Sequence, residues 1–213
     1  MKIEQIKPTE IEQKSFAIIT EELEQKGLVL DADKAFLIKR CIHTTADFDY
    51  AKTMAFSERA IPIMAGLIRQ KATIVTDTNM ALSGINKKTL SEYGGSAKCF
   101  MSDPAVMEEA KQRGITRATV SMEYAAKLPG KVIYAIGNAP TALLSLKEMM
   151  DKTSYRPDFI IGVPVGFVNV IAAKEEIMTT DVPYIINTGR KGGSNVAAAI
   201  CNAVLYEMKK GNL

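Results

Sequence analysis

His43 is the only histidine in the chain, and histidine is the side chain whose ordinary pKa lies nearest neutrality. It is the first candidate for moving a proton. It stands three residues after Arg40, in the run Arg40-Cys41-Ile42-His43-Thr44-Thr45 that ends an apolar, helix-like stretch. Residues three apart share a helix face, so a cation and a titratable base point the same way. A lone histidine in such a place more often caps or packs a helix C-terminus. Phe36, Leu37, Ile38, Cys41 and Ile42 make the stretch apolar nearly all round. Arg40 therefore enters a buried helix and needs a negative partner, either a protein acid or an acidic ligand. One helix earlier, Ser15 falls on an apolar stripe of Ile11, Ile18, Ile19 and Leu23. An inward hydroxyl there bonds back to its own helix or meets a ligand.

Three glycine-rich segments follow. Gly189-Arg190-Lys191-Gly192-Gly193-Ser194 joins two cations, a pliable backbone and the start of a long helix, a combination that attracts anions. It also reads as a tight strand-to-helix turn that needs glycine. Its spacing is not that of a Walker A loop, and no G-x-G-x-x-G follows a strand. Gly162-Val163-Pro164-Val165-Gly166-Phe167 has no titratable side chain. It offers backbone groups and a flat apolar wall, better suited to a planar ligand than to a phosphate, or it is simply a strand-end turn. Gly137-Asn138-Ala139-Pro140 is the third. Asp77 ends a further apolar run and either handles a proton or caps the next helix. With one histidine, no Ser-His-Asp spacing can be tested.

The elements that must position these residues are legible as short apolar runs separated by helical patterns. The runs are 72–76, 97–101, 131–136, 158–161 and 183–187. Such alternation predicts a doubly wound, mainly parallel five-stranded sheet in a three-layer α/β/α sandwich. Ligands of such sheets bind beyond the carboxyl ends of the strands. The three glycine-rich segments and Asp77 should therefore converge on one rim. Two helices precede the sheet. Thr9 to Glu12 reads as a capping box for the first, which Gly27 stops. Asp31 caps the second, and 44–50 reads as irregular. Ser57-Glu58-Arg59 opens a third helix, and Ser102-Asp103-Pro104 caps a later one. No linker or repeat divides residues 1–213, so one domain is expected.

Composition narrows the field. The chain has 213 residues, 47% hydrophobic and 24% charged, with a net charge of +3. That is an ordinary globular balance, and no basic block argues for nucleic acid. Cys41, Cys99 and Cys201 are scattered in apolar settings with no C-x-x-C, which predicts buried free thiols in a reducing cytoplasm and no zinc site. Met1 to Pro8 has no apolar signal core, and no run is long enough to span a membrane.

Read together, Ser15-Phe16-Ala17-Ile18-Ile19, Arg40 with His43, Gly137-Asn138-Ala139-Pro140-Thr141-Ala142-Leu143, Gly162 to Val168 and Gly189-Arg190-x-Gly192-Gly193-Ser194 occur in one order. This order resembles the precorrin-8X and cobalt-precorrin-8 methylmutase family over essentially the whole chain. The resemblance implies a flavodoxin-like fold, a homodimer, and migration of a ring methyl from C11 to C12 of a corrin precursor in cobalamin biosynthesis. It implies that His43 is the catalytic proton donor and acceptor and that Ser15 and Arg40 contact the substrate. Asp77, Asn138, Gly166, Arg190, Lys191 and Ser194 join the expected substrate-binding set from the rim. No cofactor is expected; cobalt, where present, arrives inside the tetrapyrrole. Thr44, directly after the histidine, departs from the small residue common in the aerobic branch and favours the cobalt form. A corrin-binding protein without catalysis and a nucleotide or phosphosugar enzyme of the same fold class are the competing readings.

Overall fold

The structure, a computed structural model, describes residues 7–213. The stretch read for a signal core falls largely on 1–6, outside the described residues, and so does the side chain of Thr9. In chain order the elements are α1 (Pro8–Gln25), α2 (Ala32–Thr45), α3 (Tyr50–Thr53), β1 (Met54–Phe56), α4 (Ala60–Arg69), β2 (Thr73–Thr76), α5 (Asn79–Gly84) and α6 (Lys87–Glu92). They continue with β3 (Ser96–Cys99), α7 (Pro104–Arg113), α8 (Arg117–Ala125), β4 (Val132–Ile136), α9 (Pro140–Lys152), β5 (Phe159–Gly162), α10 (Val170–Met178), β6 (Tyr184–Asn187) and α11 (Ser194–Lys210).

The sheet order is β1-β6-β5-β4-β2-β3. Five strands are parallel, and β1 adds an antiparallel edge beside β6, pairing Ala55 with Ile186. Without β1, the order is that of a flavodoxin-like sheet, with the switch point between β2 and β4. The expectation of five strands is thus corrected to six. Met54-Ala55-Phe56 is too short for its periodicity to be read against the residues around it.

The four inner strands, β2, β4, β5 and β6, are largely apolar on both sides because both faces are covered there. Ile74, Ile133, Ala135, Phe159, Ile161 and Ile185 pack toward α4, α5, α6 and α11. Their neighbours Val75, Val132, Tyr134, Ile136, Ile160 and Ile186 pack toward α8, α9 and α10. Each large apolar side chain so buried contributes roughly 1.5–3 kcal/mol. α2 lies on α11, and α1 lies outside α2. Cys41 and Cys201 are fully buried in the first of these cores, and burial pushes both thiols up to about 12. Cys99 is only half-buried.

Helix boundaries follow local chemistry. Asp31 accepts the amide of Asp33 and Asp103 accepts that of Ala105, as N-caps. Thr9 is not the N-cap: α1 begins at Pro8, with Lys7 as its N-cap. The stripe on α1 also differs from expectation. Ile19 and Leu23 are buried, but Ile11 and Ile18 stand 51% and 47% exposed. Among the described residues α1 packs chiefly on α2, and the face it turns toward it runs Glu12, Phe16, Ile19, Leu23. Ser15 stands one position off that face and is half-buried.

Candidate active site

Two groups of residues make the site. The first is built by α1 and α2. Phe16 stands between Arg40 and His43: its ring centroid is 4.7 Å from the guanidinium carbon and 5.3 Å from the imidazole centroid. The ring planes of Phe16 and His43 are only 20° apart. Arg40 and His43 thus share a face, as their spacing predicts. The Arg40 side chain is 16% exposed, donates to Glu12 Oε1 at 2.5 Å and also lies 5.3 Å from the ring of Tyr206 on α11. Its negative partner in the free chain is a protein acid, and it is the glutamate expected to close the capping box. Arg40, Phe16, Lys39, Tyr206 and Lys210 line a groove of about 640 Å³. His43 is exposed in the last turn of α2.

The second group is the rim at the carboxyl ends of β2, β4, β5 and β6, where the glycine-rich segments meet backbone to backbone. A Cβ on Gly137 would stand 2.7 Å from Ser194 Cα, and one on Gly192 would stand 2.0 Å from the Val163 carbonyl oxygen. No side chain fits at either place. The amide of Gly193 donates to Val163 O at 2.9 Å and that of Gly166 donates to Arg190 O at 3.1 Å. Ser194 Oγ lies 2.7 Å from Thr78 Oγ1. The convergence expected from the sequence is therefore present, and Gly166 and Ser194 take part in it through contacts within the chain.

Asp77, expected among the substrate-binding residues, is at this rim with its carboxylate engaged within the chain. It is fully buried, and its carboxylate accepts the amides of Gly137 at 2.9 Å, Asn138 at 2.8 Å and Ala139 at 2.6 Å. Burial pushes its carboxyl above the usual range, against the pull of those amides, which favour the anion. It stitches the end of β2 to the loop after β4. The side chain of Asn138 itself is exposed.

Lys191, also expected among the substrate-binding residues, is likewise engaged within the chain. Its ammonium lies 2.6 Å from both Asp47 and Asp49, and these bonds hold its pKa well above the ordinary lysine value and that of Asp47 below the carboxylate range. The two aspartates follow His43 directly, after Ala46 turns the chain in a left-handed conformation. The same region is tied again where Thr188 donates to Thr53 O and Thr53 donates to Asn187 Oδ1. Within one chain, the end of α2 that carries His43 is anchored to the Gly189–Ser194 loop.

Arg190 stands exposed, its guanidinium carbon 5.4 Å from the ring centroid of Phe167, with no carboxylate partner among the described residues. Phe167, Val168 and Val165 are 82%, 77% and 47% exposed. The rim thus presents an apolar shelf beside the exposed Arg190 guanidinium, a surface suited to a flat molecule edged with carboxylates. Phe16 was given no site role from the sequence, and Phe167 entered only as part of the apolar wall of its segment. Both lie inside the motifs that carried the resemblance, and their rings meet the two arginines. Among the described residues no His/Cys/Asp/Glu group is arranged to hold a metal ion, and no helix is long and apolar enough to cross a membrane.

A family model described as precorrin-8X methylmutase matches residues 10–207. The chain is 43% identical to the cobalt-precorrin-8 methylmutase of Priestia megaterium, over 93% of this chain and 88% of that one. It is 41% identical to the cobalt-precorrin-8 methylmutase of Salmonella typhimurium, over 95% and 97%. The crystal structure of precorrin-8X methylmutase from Thermus thermophilus superposes with a TM-score of 0.84 at 33% identity, over 96% of this chain and all of that one. The fold, the two residue groups and these likenesses agree: this chain belongs to the precorrin-8X methylmutase family.

Proposed function

We propose that this chain is an isomerase of cobalamin biosynthesis that moves a ring methyl group from C11 to C12 of precorrin-8, with the cobalt-carrying form as its preferred substrate. The observation that carries this reading is the Lys191 tether to Asp47 and Asp49, which ties the segment after His43 to the loop that bears Arg190. The preference for cobalt is supported by Thr44 and by the names of the two relatives above. Cobalt enters as part of the substrate.

The residues divide the work. The shelf holds the macrocycle flat, and Arg190 pairs with one of its edge carboxylates, a geometry in which arginine is favoured. Arg40 takes another carboxylate, exchanging Glu12 for the substrate. His43 gives a proton or hydrogen bond to a ring nitrogen and takes it back after migration. The methyl shift is intramolecular, so no group leaves and no electron is gained or lost. Holding the ring in the reacting shape supplies the remaining rate. The chain works in the cytoplasm as a homodimer, with the exposed Ile11 and Ile18 of α1 among the residues a second copy covers.

The test is to mix the purified chain with cobalt-precorrin-8 or precorrin-8 and follow the absorption spectrum. Conversion to the spectrum of cobyrinic or hydrogenobyrinic acid supports the reading, and no change with either substrate refutes it. His43→Ala should reduce turnover by about 10²–10⁴-fold while product still binds. Binding without turnover by the unaltered chain would leave a corrin carrier.

A further inference from the structure

Lys174 belongs to neither group. It lies on α10, is 1% exposed, and its ammonium donates to Gly189 O at 2.8 Å and to Lys191 O at 2.9 Å. Among the described residues no carboxylate pairs with it. A buried ammonium without a counter-ion is costly, and methionine would fill the same space without that cost. The charge is aimed entirely at the backbone of one loop.

Those two carbonyls flank Arg190. A peptide unit is planar and trans, so drawing the Gly189 and Lys191 carbonyls inward turns the amides of Arg190 and Gly192 the opposite way. The Lys191 carbonyl is held a second time, by Asn187 Nδ2 at 2.9 Å. Two residues, Arg190 and Lys191, lie between the two fixed peptides, and the peptide that joins them is held as well, by the amide of Gly166, which donates to Arg190 O at 3.1 Å. The backbone on both sides of Arg190 is thereby set.

We propose that Lys174 is a positioning residue: from the interior it fixes the Gly189–Gly192 backbone so that Arg190 stands over the shelf to receive a substrate carboxylate. This rests on the reading of Arg190 as a substrate contact. It goes further in naming a buried residue, remote from the substrate, on which that contact depends.

The test compares the full chain with Lys174→Met, Lys174→Gln, Arg190→Ala and the Arg190→Ala combinations, by steady-state kinetics with cobalt-precorrin-8 and by thermal melting. Lys174→Met is expected to raise KM by about tenfold with kcat within about threefold, and to raise it less than about twofold in the Arg190→Ala background, because coupled residues are not additive. Lys174→Gln keeps a donor and should raise KM only about threefold. A methionine variant that melts lower but leaves KM unmoved, or that raises KM equally in both backgrounds, overturns the proposal. Should methionine prevent folding, glutamine decides: a rise in KM that vanishes in the Arg190→Ala background supports the proposal, and any other result overturns it. Arg190→Ala alone separates the two readings. If its KM is unchanged, Arg190 is no substrate contact and both readings of the loop fall. If its KM rises while the Lys174 variants keep theirs, only the Lys174 proposal falls.

Discussion

The ring of Phe16 lies against the imidazole of His43, centroids 5.3 Å apart and planes within 20°. The same ring bears the Arg40 guanidinium. One side chain on α1 thus sets the position of two on α2. Replacing it with leucine keeps the apolar volume but removes both ring contacts, each worth on the order of 1 kcal/mol. Phe16→Leu is expected to lower kcat by about three- to tenfold, since 1.4 kcal/mol is tenfold in rate. Phe16→Tyr, which keeps the ring, should stay within about twofold of the unaltered chain. Turnover of the two variants side by side checks this.

Gly192 and Gly189 lie in one loop but are not equivalent. A Cβ at Gly192 meets the Val163 carbonyl at 2.0 Å, whereas one at Gly189 meets nothing within 4 Å. Gly189 has a φ of +70°, so alanine there is strained only locally, at about 1 kcal/mol. Gly192→Ala must push two loops apart and should cost more than about 3 kcal/mol. Denaturant titration should show the large loss for Gly192→Ala and a small one for Gly189→Ala.

Asp77 accepts three backbone amides with two oxygens. Asn would place an NH₂ group against amide donors and leave buried N–H groups unsatisfied. Asp77→Asn is expected to destabilise the chain by about 2–4 kcal/mol, read as a lower denaturant midpoint. Because the carboxylate is buried, any fall in activity should follow the fraction folded and not the substrate concentration.

Burial alone pushes the pKa of Lys174 down, from 10.5 to about 8. The unfolded chain therefore holds this proton across that interval while the folded chain releases it. Stability rises with pH wherever the unfolded state binds more protons. The difference in unfolding free energy between the unaltered chain and Lys174→Met should accordingly grow in favour of lysine from pH 8 to about 10.5, by on the order of 2–3 kcal/mol at 1.36 kcal/mol per pH unit. A difference that stays flat over that range contradicts the burial argument.

The parallel strands were readable because both faces of the sheet are covered, leaving unbroken apolar runs such as Val132–Ile136. The meeting of the glycine-rich segments followed from strand direction alone. The partners were not readable. Arg40 finds Glu12 across 28 residues, Gly137 finds Asp77 across 60, and Lys191 finds Asp49 across 142. No local pattern announces such pairs, so Asp77 and Lys191 looked available when both were engaged. The exposure of Ile11 and Ile18 escaped for a related reason. Periodicity marks an apolar stripe, but only the neighbouring helix decides which part of it is covered.

The stitch that Asp77 makes has one more consequence. Sheets of this strand order commonly receive a nucleotide or flavin in the crevice where the order reverses. Here that crevice lies between β2 and β4, and a single carboxylate ties its two sides together by accepting hydrogen bonds from three backbone amides. A mononucleotide placed there by analogy of fold would first have to unlace it. The strand order is one that nucleotide binders share, but its crevice is tied together here, and the exposed ledge of Val165, Phe167 and Val168 after β5 is the surface open to the proposed macrocycle.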